Sequence, residues 1–409
     1  MTAPPTSRPR VGGPPGPTGP PVRPPAPVAP ARVRKVSQRV STGRLVLFEI
    51  VAVAVALAAF SGSSIALIAV TVCGGAVVFV AFLRGNGRWW TESLTLRREW
   101  RRRRAVGSRV ERVIVGHDDR GTTVGIGCDE GGWYAAVAVA PAAGVEGRRG
   151  GAVPVEALAA LVVDPSVPVS AIQLTSLAVP SPQYLTPRQS PAAASYVELA
   201  RDLVATGPPP IEQRDWITVR LTVDDAVTAA YSRGGGTVGV HRALTSVVGR
   251  VAKAVSGAGV DHEVLGPTEL AVAVQTCSGI PGGAEAAVAV REEWTSWTSG
   301  GLVDVAFEVA EWPTRDAGSL ADLLHTPAAR MVCALELRPV PRRTPADPGS
   351  GGGVLVRGTV RVGALPPRLP DSVRALTERA DDLGIKLRRL DGWHAPAAYA
   401  SAPTGGGPW

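Results

Sequence analysis

The chain has 409 residues, 45% hydrophobic but only 5% aromatic, enough to bury the core of one or two domains. Its four cysteines, Cys73, Cys128, Cys277 and Cys333, form no C-x-x-C pair, which excludes a disulfide framework and a cysteine zinc site and predicts buried, reduced thiols. The net charge of +8 sits in residues 1–44 (+8) and 84–104 (+6), leaving −5 on 105–409 once Glu49 is counted, and a globular nucleic-acid-binding body is excluded because its charge would lie on the folded part.

Residues 1–40 are rich in Pro and Gly, nearly free of large apolar side chains, and predict a disordered cytoplasmic tail. Between Arg44 and Arg84 the only charge is Glu49. As one helix this stretch would reach about 58 Å, twice a ~30 Å hydrocarbon core, and Ser61-Gly62-Ser63-Ser64 breaks it in the middle. The expectation is a transmembrane hairpin over 41–85, with helices at about 44–61 and 64–83. Basic flanks and an uncharged turn place both termini in the cytoplasm, as a two-pass plasma-membrane protein. Glu49 lies shallow enough to snorkel toward water.

Residues 86–106 then read as a basic juxtamembrane helix. Trp89 and Trp90 fall where amphipathic rings concentrate at a lipid boundary. With Arg44, Arg84, Arg88, Arg97, Arg98, Arg101, Arg102, Arg103 and Arg104 they form the expected membrane-interface set, the arginines facing anionic lipid headgroups. This topology accounts for the arginine run without nucleic acid.

Downstream, strands and helices alternate. Residues 109–116, 121–128 and 133–140 predict strands, with a hairpin signal at Asp129–Gly132. A helix over 153–163, a strand over 167–179 and a helix from Ser190 to Thr206 follow. Gln213–Val223 alternates most clearly of all, and helices are expected over 224–233 and 240–259. Then come a short strand at 260–266, a helix over 267–277, and strands over 301–312, 330–340 and 353–365. A flexible loop spans 342–353, and a helix over 370–384 and a strand over 385–390 close the pattern. No repeat of fixed period is detectable. The expected fold class is an integral membrane protein with two N-terminal transmembrane helices and an α/β cytosolic domain, its sheet mixed, over 107–402, followed by a tail at 403–409.

Gly234–Gly239 matches G-x-G-x-x-G, with Asp261 downstream, but some ten helix-forming residues separate the glycines from the strand that a dinucleotide turn must leave directly. A loop between helices is the better reading, and no P-loop occurs. Asp224-Asp225 fit a helix start, Asp381-Asp382 an exposed helix face and Asp118-Asp119 a turn. Asp261-His262-Glu263 fits an exposed edge strand. His117, His241, His262, His325 and His394 show no metal-binding spacing, and no G-x-S-x-G elbow occurs, so no catalytic, cofactor or metal residue is assigned.

The basic head, the apolar hairpin, "GRWWTESLTLRREWRRRR", the block from Arg214 to Leu270 and the ending "LGIKLRRLDGWHAPAAYASAPTGG" together resemble the EccE family of actinobacterial type VII (ESX) secretion systems, over about residues 40–405. The resemblance implies a non-enzymatic structural subunit of a plasma-membrane complex. It implies EccB-, EccC- and EccD-like subunits and the mycosin protease as partners, and neither cofactor nor nucleic acid. The family's cytosolic domain is similar in outline to glycosyltransferase folds. The alternative is therefore a membrane-tethered glycosyltransferase-like enzyme using a nucleotide sugar, with Asp224 or Asp261 at the donor.

Overall fold

The computed structural model describes residues 42–60, 62–82, 84–85, 88–106, 112–119, 121–140, 153–179, four positions between 191 and 198, 212–280, 290–313, 319–340 and 353–406. The head over 1–40, nearly all of the helix expected from Ser190, and all but the last residue of the loop 342–353 lie outside the described residues.

Two apolar helices come first, α1 (Thr42–Phe60) and α2 (Ser64–Phe82). They turn at Gly62 and pack closely at Gly74, where a Cβ would come within 2.6 Å of Val51. The expected membrane-spanning pair is corrected: among the described residues no helix is long and apolar enough to cross a membrane. Nineteen residues rise only about 28 Å against a core of ~30 Å, and Arg44 and Glu49 shorten the apolar run of α1 further. The outer side chains of the hairpin are nevertheless apolar, with Phe60 90% and Ile65 82% exposed. A two-residue ladder, Arg84–Gly85 against Arg88–Trp89, leads into α3 (Trp90–Val106).

The rest of the described chain builds one twelve-stranded sheet. Its strands are β1 (Val113–Asp119), β2 (Thr122–Asp129), β3 (Gly132–Val139), β4 (Ala171–Val179), β5 (Glu212–Leu221) and β6 (His262–Val264), then β7 (Val290–Glu292), β8 (Trp297–Ser299), β9 (Leu302–Glu311), β10 (Arg330–Pro339), β11 (Val354–Ala364) and β12 (Lys386–Arg389). Every ladder is antiparallel, which corrects the mixed sheet expected from the alternation of strands and helices. The helices here do not carry the chain between parallel neighbours. Those of seven residues or more among the described residues are α4 (Val155–Val163), α5 (Val223–Tyr231), α6 (Gly236–Gly257), α7 (Pro267–Ser278), α8 (Leu369–Asp382) and α9 (His394–Ala400). The connection through α4, for example, joins β3 to β4, with β5 lying between them.

The sheet repeats itself. One half runs β1-β2-β3-β5-β4, with β6 also on β3; the other runs β7-β8-β9-β11-β10, with β12 also on β9; β4 and β10 join them. The helices follow the same plan. α6 packs on β3, β5 and β6, and α8 on β9, β11 and β12; α7 follows β6, and α9 follows β12. The equivalent strands β5 and β11 share the tripeptide Thr-Val-Arg, at Thr218–Arg220 and Thr359–Arg361. The sequence hid this repeat because loops and helices of unequal length destroy any fixed period.

The two faces differ. Under α4, α6 and α8 the sheet is apolar, with Val137, Ile217, Val219, Leu244, Met331, Val360 and Leu376 in one buried cluster. Under α7 and α9 it also buries Gln173, Thr175, Thr218, Arg220, Glu336, Thr359 and Arg361. Arg220 bonds Asp129 and the Thr404 carbonyl (2.6 Å) beyond α9, while Arg361 bonds the Cys277 carbonyl at the end of α7. Each half therefore grips the helix of the other. Gln173 adds a bond to the Ala400 carbonyl (2.6 Å) and accepts from the Gly405 and Gly406 amides, so the chain is buried through Gly406, within the run 403–409 expected as a tail.

Candidate interaction surface on the basic helix

α3 contains no Gly or Pro, and its three-residue spacing places Arg97, Trp100 and Arg103 on one side. That side docks on the body. The Arg97 guanidinium lies 5.2 Å from the Trp294 ring centre, and Trp100 meets the same ring edge-on at 5.8 Å. Arg103 lies 4.2 Å over Trp393, donates to the Gly392 carbonyl at 2.5 Å, and stands 3.9 Å from Glu292 and 3.6 Å from Glu99. Stacking a guanidinium on an indole contributes about 0.5–2 kcal/mol, depending on desolvation.

The body side is built by the segment between β7 and β8, which carries Trp294, and by the turn before α9. Gly392 joins them. Its N–H donates to the Trp294 carbonyl at 2.6 Å, its φ is 71°, and a Cβ there would lie 2.2 Å from the Trp294 ring. No other residue fits. The Glu292 carboxylate accepts from the Ala395 amide at 3.0 Å. Burial pushes Glu292 up, against the opposing bond to Ala395 and the charge of Arg103; burial likewise pulls Arg103 down, against Glu292 and Glu99. Desolvation leads on both partners, so burial works against the charged forms that attract each other here.

Arg98, Arg101 and Arg102 occupy the other side of α3 and are exposed. The helix therefore divides the arginines that the sequence assigned together to headgroups: Arg97 and Arg103 reach tryptophans of the body, and the other three face outward. For Arg44, Arg84, Arg88, Trp89, Trp90 and Arg104 the backbone is placed in α1, the short ladder or α3, and the side chains lie outside the described residues. Trp294, Trp393, Glu292 and Gly392 were not singled out in the sequence. The signal available was the spacing of Arg97, Trp100 and Arg103, which marks a helix side with two kinds of contact.

The other candidates fall as follows. Gly234, Gly235 and Gly236 turn α5 into α6, with α5 between them and β5, so the glycines do not leave a strand as a dinucleotide site requires. Thr222 caps α5 by accepting from Asp225 N, and Asp224 and Asp225 occupy its first turn. Asp118 accepts from Thr123 at 2.5 Å at the β1–β2 hairpin, Asp381 and Asp382 are exposed at the end of α8, and Asp261 is exposed just before β6. His117 and His241 meet with ring centres 5.3 Å apart, and among the described residues no three His, Cys, Asp or Glu side chains converge as metal ligands. All four thiols are free, but only Cys277 and Cys333 are buried; Cys128 is half-buried and Cys73, on the outside of α2, is exposed, which corrects the expectation for those two.

Residues 210–309 match a family model described as a putative type VII ESX secretion system translocon protein. The family is EccE. The EccE segment runs from just before β5 into β9 and so includes Glu292 and Trp294, the body side of the α3 joint, but not α3 itself. The family's description places it in the translocon of the type VII ESX secretion system. No curated protein matches the chain.

Proposed function

We propose that this EccE-like chain is a non-enzymatic subunit that helps assemble or stabilise a type VII secretion complex at the plasma membrane. The observation that carries the reading is the two-sided α3. One side is fastened to the body by Arg97, Trp100 and Arg103, while Arg98, Arg101 and Arg102 remain available to anionic headgroups. The exposed apolar side chains of α1 and α2, such as Phe48, Phe60 and Phe79, offer neighbouring subunits a surface that is costly to leave in water. EccB-, EccC- and EccD-like subunits, with the mycosin protease, are the partners this reading expects.

Affinity purification of the tagged full-length chain from detergent-solubilised membranes tests it. The expected result is one large assembly containing an EccC-like ATPase and an EccD-like polytopic protein. Recovery of the chain only as a free monomer would overturn the proposal.

A further inference from the structure

The two ends of the sheet are unlike. One closes on β7, only three residues long. The other is β1, seven residues paired one-to-one with β2 and without a bulge. Edge strands that stay single are normally very short, kinked by a bulge, or marked by Pro or Lys, because their open backbone groups pair with any strand that meets them. β1 carries none of these guards. Its side chains Val113 and Val115 are 64% and 39% exposed.

The direction of its open groups follows from β2. The Gly125 N–H donates to the Leu265 carbonyl at 2.8 Å, just past β6 and so away from β1. Gly125 stands opposite Gly116, and in an antiparallel ladder a facing pair turns its N–H and C=O groups either toward each other or both away. Gly116 therefore points its groups away from β2, and by alternation Ile114 and Asp118 do the same. Among the described residues no other segment bonds the backbone of these three. Gly116 is itself exposed, which leaves backbone open to solvent in the middle of the edge.

The edge is also self-complementary. Arg112 stands at its start and Asp118 near its end, and among the described residues neither has an ion-pair partner. Arg112 donates to the Ile280 carbonyl at 3.2 Å, and Asp118 accepts from Thr123. If two copies of β1 pair antiparallel with Val115 facing Val115, Arg112 of each copy falls opposite Asp118 of the other. Ile114 then faces Gly116, so the outward donors of one copy meet the outward acceptors of the other. On the other face Val113 lies opposite His117, and the exposed valines of both copies leave water together.

We infer that β1 is a self-pairing edge, on which a second copy of this chain adds its own β1 antiparallel and continues the sheet across a twofold axis. A strand pair of this length is smaller than a standard interface, so the dimer exchanges with monomer, with a Kd on the order of 10 µM. This inference stands apart from the proposed role in secretion.

The test is the molar mass of the purified full-length chain in mild detergent, by light scattering at about 10–100 µM, where a monomer–dimer equilibrium is expected. Val115→Lys sets two ammonium groups against each other at the axis, and Asp118→Arg sets arginine against arginine at both ends. Each should weaken association about tenfold or more. Both positions are exposed, so circular dichroism and the melting midpoint should stay close to those of the parent. Cross-linking reads the register. In a Cys73→Ser background, which removes the exposed native thiol, oxidation should join Val115→Cys to its copy, because such facing residues lie ~4.5 Å apart at Cα. Val113→Cys, opposite His117, should stay unlinked. A monomer throughout, a dimer undiminished by Val115→Lys and Asp118→Arg, or equal cross-linking at both positions would overturn the inference.

Discussion

At the scale of single residues, His394 shows how burial fixes a protonation state. It is fully buried, and Nδ1 accepts from the Ala306 amide at 3.2 Å, which requires the ring to be unprotonated there. Nε2 faces Asp391 at 3.8 Å. Burial pulls His394 below its ordinary value, with Asp391 and Asp304 opposing and Arg389 reinforcing the shift. Burial works to raise Asp391, yet the hydrogen bonds from Arg389 and the neighbouring His394 outweigh it and hold the carboxyl at about 2. The sign follows. His394 contributes its full stability above the unfolded value of 6.5, and that contribution is lost as pH falls from there through the lowered folded value, because the unfolded chain takes up a proton that the folded chain refuses. The urea midpoint is therefore expected to fall between about pH 7.5 and about pH 5.5, with a contribution from this group of at most about 1.4 kcal/mol per pH unit. His394→Asn keeps an acceptor for the Ala306 amide and does not titrate, so its profile should be flatter; superimposable profiles would refute this role.

At the scale of elements, α3 separates two functions that sequence alone merged. Each outward arginine contributes about 1 kcal/mol near an anionic surface. Replacing Arg98, Arg101 and Arg102 together with Gln should cut the preference for anionic over neutral vesicles about 100-fold, measured by co-sedimentation, and leave hydrogen-exchange protection of α3 unchanged. Replacing Arg97 and Trp100 with Ala should do the reverse, lowering α3 protection while most of the vesicle preference survives. An identical response from both variants would mean that the two sides do not act separately. Much of the fold was legible at this scale. β5 alternates cleanly, α7 opens on Pro267 and stops at Gly279, and Asp129–Gly132 marks a hairpin. What stayed hidden depends on tertiary contact. β7 and β8 are three residues each, too short for a period to register, and α9 is a seven-residue run whose apolar character comes mostly from alanine. The apolar hairpin misled in the opposite direction: its two helices lie close to where the sequence placed them, but neither is long and apolar enough to cross a membrane. The α3 joint was hidden for a further reason: Trp294 and Trp393 come from distant segments that only the antiparallel sheet brings together.

At the scale of the whole body, the repeat has a mechanical consequence. A duplicated fold whose halves touched only along β4 and β10 could open as two units. Here the buried arginine of each half is bonded to the other half's chain, Arg220 to Thr404 and Arg361 to Cys277, and Gln173 and Tyr399 tie the end of α9 across the join. Breaking either grip leaves buried donors and acceptors unmatched, at about 1–3 kcal/mol per group. The body should therefore unfold in urea as one unit, with tryptophan fluorescence and far-ultraviolet circular dichroism giving coincident transitions. Arg220→Met strands Asp129 as an uncompensated buried carboxylate, and the expected loss is about 3–5 kcal/mol. Because the grips cross, that loss should lower hydrogen-exchange protection in β9 and β11 as well as in β3 and β5. Two separable transitions in the parent chain, or a loss of protection confined to the half that carries the substitution, would show that the halves stand independently.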